Sequence, residues 1–158
     1  MSQKKGGTPQ DIDQIAASFL TQKFQNIRTR VLMASGWQVD YVVYDPELQK
    51  DIAIAAKNVT WVENQVARFP DMATPHDQDL LKNLIALHRR GHPCGMLFII
   101  TKPETLAFSP AESLDPEFAK LFWECVSSGF WIYCLKGKFT TDGFSSLGGI
   151  PLLGRRTK

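Results

Sequence analysis

Apolar residues recur at Ile12, Ile15, Ala16, Phe19, Leu20, Phe24 and Ile27, the spacing of one helical face, and predict a helix running to about Ile27. Thr8-Pro9-Gln10-Asp11 supplies its start, with a threonine cap, proline at the first helical position and an acid near the positive helix end. The pattern then tightens to alternation. Residues 28–34 predict a strand, Ser35-Gly36 a turn and residues 37–44 a second strand. In that second strand Val39, Tyr41 and Val43 share one side, leaving Asp40 on the other with Val42. Asp45-Pro46-Glu47-Leu48 reads as a turn, and residues 51–62 carry the small apolar run of a central strand covered on both faces.

The cap grammar returns at Thr74-Pro75-His76-Asp77, before a stripe of Leu80, Leu81, Leu84, Ile85 and His88 that Gly91 closes. Residues 95–101 form a buried strand. Asp115-Pro116-Glu117 opens a third helix, with Phe118, Leu121, Phe122, Cys125 and Val126 inward and Gly129 as its stop. Residues 130–135 give another strand, and residues 139–147 a terminal strand broken at Asp142-Gly143. The order α-β-β-β-α-β-α-β is that of an α/β, restriction-endonuclease-like domain: an αβββαβ core whose mixed sheet is flanked by helices. Order alone assigns no function.

Composition narrows the class. At 158 residues the chain is one domain by size, and its 44% hydrophobic and 22% charged residues are those of an ordinary globular protein. No apolar run is long enough to predict a membrane span. Residues 1–7 lack a signal-peptide core, and Asp11 and Asp13 argue against a transit peptide. Cys94, Cys125 and Cys134 are odd in number and far apart, which predicts reduced thiols. The expected setting is therefore intracellular, cytoplasmic or organellar, without membrane contact. A net charge of +2 does not by itself imply nucleic acid.

Candidate chemistry centres on Asp40 and Lys57. Metal-dependent nucleases need carboxylates on adjacent strands to hold Mg²⁺ and a lysine to orient or deprotonate water. Where the second carboxylate would stand, two residues before the lysine, this chain has Ala55. Asp71, or Glu63, is the candidate to join Asp40 as a metal ligand. His88, His92 and Cys94 are near in sequence, but Gly91 breaks the shared helix face, so no zinc site is expected. No Ser-His-Asp set or phosphate-cradling glycine loop is present.

A resemblance sharpens this reading. Val39-Asp40-Tyr41, Ala55-Ala56-Lys57-Asn58-Val59-Thr60, Glu63-Asn64, Phe69-Pro70-Asp71 and Ala73-Thr74 are similar to the C-terminal domain of the sugar fermentation stimulation protein A (SfsA) family. The similarity continues through Leu81-Lys82-Asn83-Leu84, Gly91-His92, Leu97-Phe98, Phe108-Ser109-Pro110-Ala111, Asp115-Pro116-Glu117-Phe118-Ala119, Leu121 and Gly129, ending near Ile150-Pro151-Leu152. It implies a PD-(D/E)XK nuclease-like fold over residues 28–153, preceded by an N-terminal segment and helix (1–27) and followed by a basic tail (154–158). It also implies DNA binding, a property ascribed to bacterial members.

The departures carry equal weight. The family's acid-x-lysine has lost its acid to Ala55, and an upstream glutamate falls near Thr29 or Arg30. A basic cluster at the next helix start is replaced by Pro75, His76, Asp77 and Asp79, and the family's OB-fold-like half has no counterpart here beyond the first helix. Asp40 and Lys57 then read as remnants of a site. Lys23, Arg28, Arg30, Lys57, Lys82, Arg89 and Arg90 are the candidate phosphate contacts.

The sequence thus predicts a catalytically degenerate nuclease fold, a pseudoenzyme that binds DNA or RNA or is part of a nucleoprotein assembly. The alternatives are a divalent-metal-dependent nuclease with a rearranged site and a protein-interaction module without nucleic-acid contact. No cofactor is expected, save Mg²⁺ or Mn²⁺ should nuclease activity remain.

Overall fold

The computed structural model describes residues 9–154. The Thr8 cap and the basic tail after Gly154 lie outside them. Helix α1 (Pro9–Lys23) leads into strands β1 (Gln25–Leu32), β2 (Gln38–Asp45) and β3 (Lys50–Val59). Two short strands follow, β4 (Trp61–Glu63) and β5 (Val66–Phe69), then helix α2 (Pro75–Arg89) and strand β6 (Cys94–Ile100). Strand β7 (Ala107–Pro110), helix α3 (Pro116–Ser127) and the hairpin β8 (Trp131–Thr140) and β9 (Gly143–Gly149) complete the chain.

The main sheet has the order β1-β2-β3-β6-β8-β9. β3, β6 and β8 run parallel at its centre, while β1, β2 and β9 pair antiparallel at its sides. Parallel neighbours need crossovers, and α2 and α3 lie in those two connections. All seven residues of β6 are buried, which is why its sequence is a continuous apolar run.

Two core clusters show the layering. Ala53, Ala55, Met96, Phe98 and Ile100 pack with Leu81 and Leu84 of α2 and with Phe118 and Phe122 of α3. On the other side Tyr41, Val43, Ile52, Ile54, Leu97 and Ile99 pack with Ile12, Ile15, Ala16 and Leu20 of α1. The result is a mixed α/β sheet flanked by helices, as the apolar pattern predicts. The N-terminal helix is thus one wall of this same core.

Both helix starts follow their sequence signals. The Thr74 side chain accepts from Asp77 N–H at 3.3 Å, and Asp115 accepts from Phe118 N–H at 3.0 Å. Gly91 and Gly129, at φ +95° and +94°, turn the chain just beyond α2 and α3, a conformation glycine adopts without a Cβ clash.

Four expectations need correction. The first helix ends at Lys23 rather than near Ile27 and the first strand begins at Gln25 rather than residue 28, because Phe24 and Ile27 pack on the α1-side core from beyond the helix. Val39 packs with Val42 in the α2/α3 cluster rather than with Tyr41 and Val43. Its register to β3 has already ended, because that pairing begins at Tyr41. The third strand stops at Val59, and β4, β5 and β7 form a separate three-stranded sheet. The β4–β5 hairpin turns on Asn64 and Gln65, with φ 54° and 63°, a geometry usually signalled by Asn-Gly and hidden here by glutamine. The break expected at Asp142-Gly143 is present, but the residues before it continue the strand that starts at Trp131, so β8 runs to Thr140 and forms a hairpin with β9. Among the described residues no helix is long and apolar enough to cross a membrane.

Candidate nucleic-acid interface

The Asp40–Lys57 site lies where β2 leaves β3. The register between these strands ends at Tyr41 and Ile54, and beyond it Asp40 Oδ2 accepts the Ala56 N–H at 2.9 Å. That bond satisfies a backbone donor the diverging strand no longer reaches. Ala55, fully buried, packs into the α2/α3 cluster. A methyl group thus occupies the place expected for an acid.

Lys57, two residues further, has the same side of the strand as Ala55. Its Nζ lies 3.1 Å from Asp77 Oδ1 and 6.0 Å from the centre of the Phe69 ring. The other Asp77 oxygen accepts from the Thr74 hydroxyl at 3.1 Å. The first turn of α2 favours such an acid through the helix dipole. Gln78 donates to Asp115 at 3.0 Å, tying the start of α2 to the start of α3 and fixing Asp77 in place. The lysine's charge is therefore met inside the protein. The lysine and aspartate side chains are only 20% and 12% exposed.

This set does not fit a nuclease's Mg²⁺. Both Asp77 oxygens are already held, one Asp40 oxygen is turned to the backbone, and Ala55 offers no ligand. Asp71 is exposed and accepts from the Thr60 hydroxyl at 3.4 Å, beyond the end of β3. Among the described residues no three His, Cys, Asp or Glu side chains gather as a metal site. His88 Nε2 instead meets the Ser128 carbonyl at 2.9 Å, and Cys94 Sγ donates to the Leu84 and His92 carbonyls.

The candidate cations fall into distinct settings. Arg28 pairs with Asp51 at 2.9 Å and Arg89 with Glu124 at 2.7 Å, both on exposed surface. Lys23 sits over the Phe19 and Tyr133 rings at 5.5 and 5.3 Å, on the α1 side of the sheet. Lys82 is exposed on α2. Arg90, just past α2, shares a groove of about 410 Å³ with Arg28, on the Lys57 side of the sheet. Arg30, at φ 50°, stands across from Asp40, between the Thr29–Tyr41 and Val31–Val39 pairs. The structure therefore brings together Arg28 and Arg90, and places Lys23 on the opposite face.

Burial, with Asp13 and Asp40 nearby, pushes the Tyr41 hydroxyl up to about 12 against the lowering pull of Arg30. Burial also raises Cys94, Cys125 and Cys134 to about 12, so all three are inert protonated thiols at neutral pH. Sequence reasoning missed Asp77 as the partner of Lys57. Its place, third after the Thr74 cap, marks a helix-start acid but not the residue that it meets.

Known proteins similar to this chain agree on one family. The model of the sugar fermentation stimulation protein RE domain matches residues 10–143. A sugar fermentation stimulation protein homolog of Syntrophobacter fumaroxidans is 38% identical over 105 residues, 66% of this chain and 38% of that protein. A homolog of Crocosphaera subtropica is 30% identical over 141 residues, 88% of this chain and 58% of that protein. The chain spans about half the length of the curated relatives it matches. The structure of Pyrococcus furiosus SfsA in complex with Ca²⁺ shares the fold at a TM-score of 0.75 and 22% identity, covering 90% of this chain and 61% of that one. With all three helices and strands β1 to β8 inside or at the edge of the matched residues, the chain belongs to the sugar fermentation stimulation protein (SfsA) family.

Proposed function

We propose that this chain binds nucleic acid on the β1–β2 and α2 face and does not cut it. The observation that carries the reading is the Lys57–Asp77 ion pair beside the buried Ala55. A lysine engaged by a helix-start aspartate, next to a methyl group, is poorly placed to activate water on a metal. The resemblance to a family described as DNA-binding supplies the ligand class, and Arg28, Arg30, Lys82 and Arg90 supply cations for phosphates. Arg30 standing across from Asp40 supports a cleft changed from holding metal to attracting phosphate. In this reading residues 28–153 are the binding domain.

Titration of labelled single-stranded DNA, duplex DNA and RNA at about 50 mM salt tests it, because phosphate contacts are strongest at low salt. Binding is expected, with no cleavage in Mg²⁺ or Mn²⁺. Absence of affinity for all three overturns the proposal and favours a protein-interaction module, which pull-down after nuclease digestion would then identify. Cleavage abolished by both Lys57→Ala and Asp77→Ala would instead establish a nuclease in which Asp77 has taken the place of the missing acid.

A further inference from the structure

The groove beside α2 adds to its cations two features that a phosphate-binding surface alone does not need. Its volume of about 410 Å³ is in the range of roughly 300–1,000 Å³ that small ligands fill. Val42, Ala53 and Leu87 line it with apolar surface, and Trp37 contributes a half-buried indole. Arg28 and Arg90 also line it, with Asp51 as the acid among the lining residues. Two guanidinium groups against one carboxylate leave the groove with a net charge of +1.

An apolar slot with an aromatic wall and an excess of positive charge matches the chemistry of a single nucleotide: a flat base on the indole, its phosphate on the arginines. We propose that this groove takes one unpaired base of a single-stranded nucleic acid, with Trp37 as its stacking platform. The inference rests on the nucleic-acid reading above and adds the form of the ligand. Geometry links the two. Ala53 on the groove lies on the same strand and side as Ala55 and Lys57, four residues or about 13 Å from the lysine. The groove and the Lys57–Asp77 pair thus lie at opposite ends of α2 on one face of the sheet. A duplex cannot fill the groove without first unstacking a base, which costs a few kcal/mol, so single strands are preferred.

The test compares a single-stranded oligonucleotide carrying one 2-aminopurine with the matching duplex, at low salt. The variants are Trp37→Ala and Ala86→Trp; Ala86 is an exposed α2 residue lining the groove, so a large side chain there fills the slot from outside. The wild type should bind the single strand more tightly and change the 2-aminopurine emission. Each variant should weaken single-strand binding about fivefold or more, the low end of a base–aromatic stack, and leave duplex binding unchanged. If Trp37→Ala fails to fold, Ala86→Trp and the wild-type emission change decide the matter. Equal affinity for both forms, or variants that bind single strands like the wild type, overturns the base pocket while leaving nucleic-acid binding intact. A wild type that binds neither form overturns both.

Discussion

Lys57 Nζ and Asp77 Oδ1, 3.1 Å apart, join the central strand β3 to the first turn of α2. The pair ties the helix start to the sheet, beside the Leu81 and Leu84 packing and the Gln78–Asp115 bond that set where α2 docks. Removing one partner leaves the other charge in a largely dehydrated position. Asp77→Asn is expected to cost about 3 kcal/mol, the lower end for breaking a buried pair, since some solvent reaches both side chains. Lys57→Met with Asp77→Leu should recover most of that loss. Urea unfolding of these two variants beside the wild type checks this. A single-variant cost below about 0.5 kcal/mol would show that the pair is solvated and contributes nothing.

An acid placed at residue 55 is not expected to build a metal site there. Ala55 is fully buried among the residues that pack on α2 and α3, and Lys57 already has its carboxylate. Ala55→Glu is expected to destabilise by several kcal/mol through burial of an unpaired charge. Ala55→Glu combined with Asp77→Asn should be less damaged than the two separate losses predict, because the lysine is released to the new acid. A double-mutant cycle by thermal or urea unfolding measures that coupling. Strict additivity would count against a shared lysine.

Much of the fold was legible because periodicity and caps agree. The α1 stripe, the Thr74 and Asp115 caps and the apolar β6 each follow from local chemistry that tertiary contacts did not override. The second sheet was not legible. β4 and β5 are 3 and 4 residues long, too short for alternation to register, and β5 finds its third strand at β7, far along the chain. At the site, Asp40, Ala55 and Lys57 could be found from spacing along two strands. Asp77 could not, because its contact with Lys57 depends on where α2 docks, and that is set by Leu81, Leu84 and the Gln78–Asp115 bond rather than by local sequence.

The three thiols make stability sensitive to base. Burial raises Cys94, Cys125 and Cys134 from 9.0 to about 12 in the folded protein. Above pH 9 the unfolded chain loses these protons while the folded protein keeps them, so the unfolded state is favoured as pH rises toward 12. Below pH 9 both states are protonated and the contribution is intact. Each thiol contributes a slope of at most about 1.4 kcal/mol per pH unit in that window. Tyr41, raised from 10.0 to about 12, adds to the loss from pH 10 upward. Urea midpoints measured across pH 8 to about 11 should fall. The same burial predicts slow thiol titration by a disulfide reagent in the native protein and release of three thiols in denaturant. Rapid native reaction of any one would show that its site opens readily.

Salt dependence separates the basic residues by what already holds them. Each single-strand phosphate contact contributes about 0.7 to the slope of log affinity against log salt. Arg90, lining the groove, and Lys82, exposed on α2, are placed to meet phosphates, so Arg90→Ala and Lys82→Ala should each flatten the slope by about 0.7. Arg89 is drawn to Glu124 at 2.7 Å, and its loss should change the slope less. Lys23 lies over Phe19 and Tyr133 on the α1 side of the sheet, and Lys23→Ala should leave the slope unchanged. Exposed pairs of this kind contribute little to folding, so the Arg89 variant should remain as stable as the wild type within about 0.5 kcal/mol. Equal flattening by Lys23→Ala and Arg90→Ala would mean that phosphates follow the protein's overall charge and not the β1–β2 and α2 face.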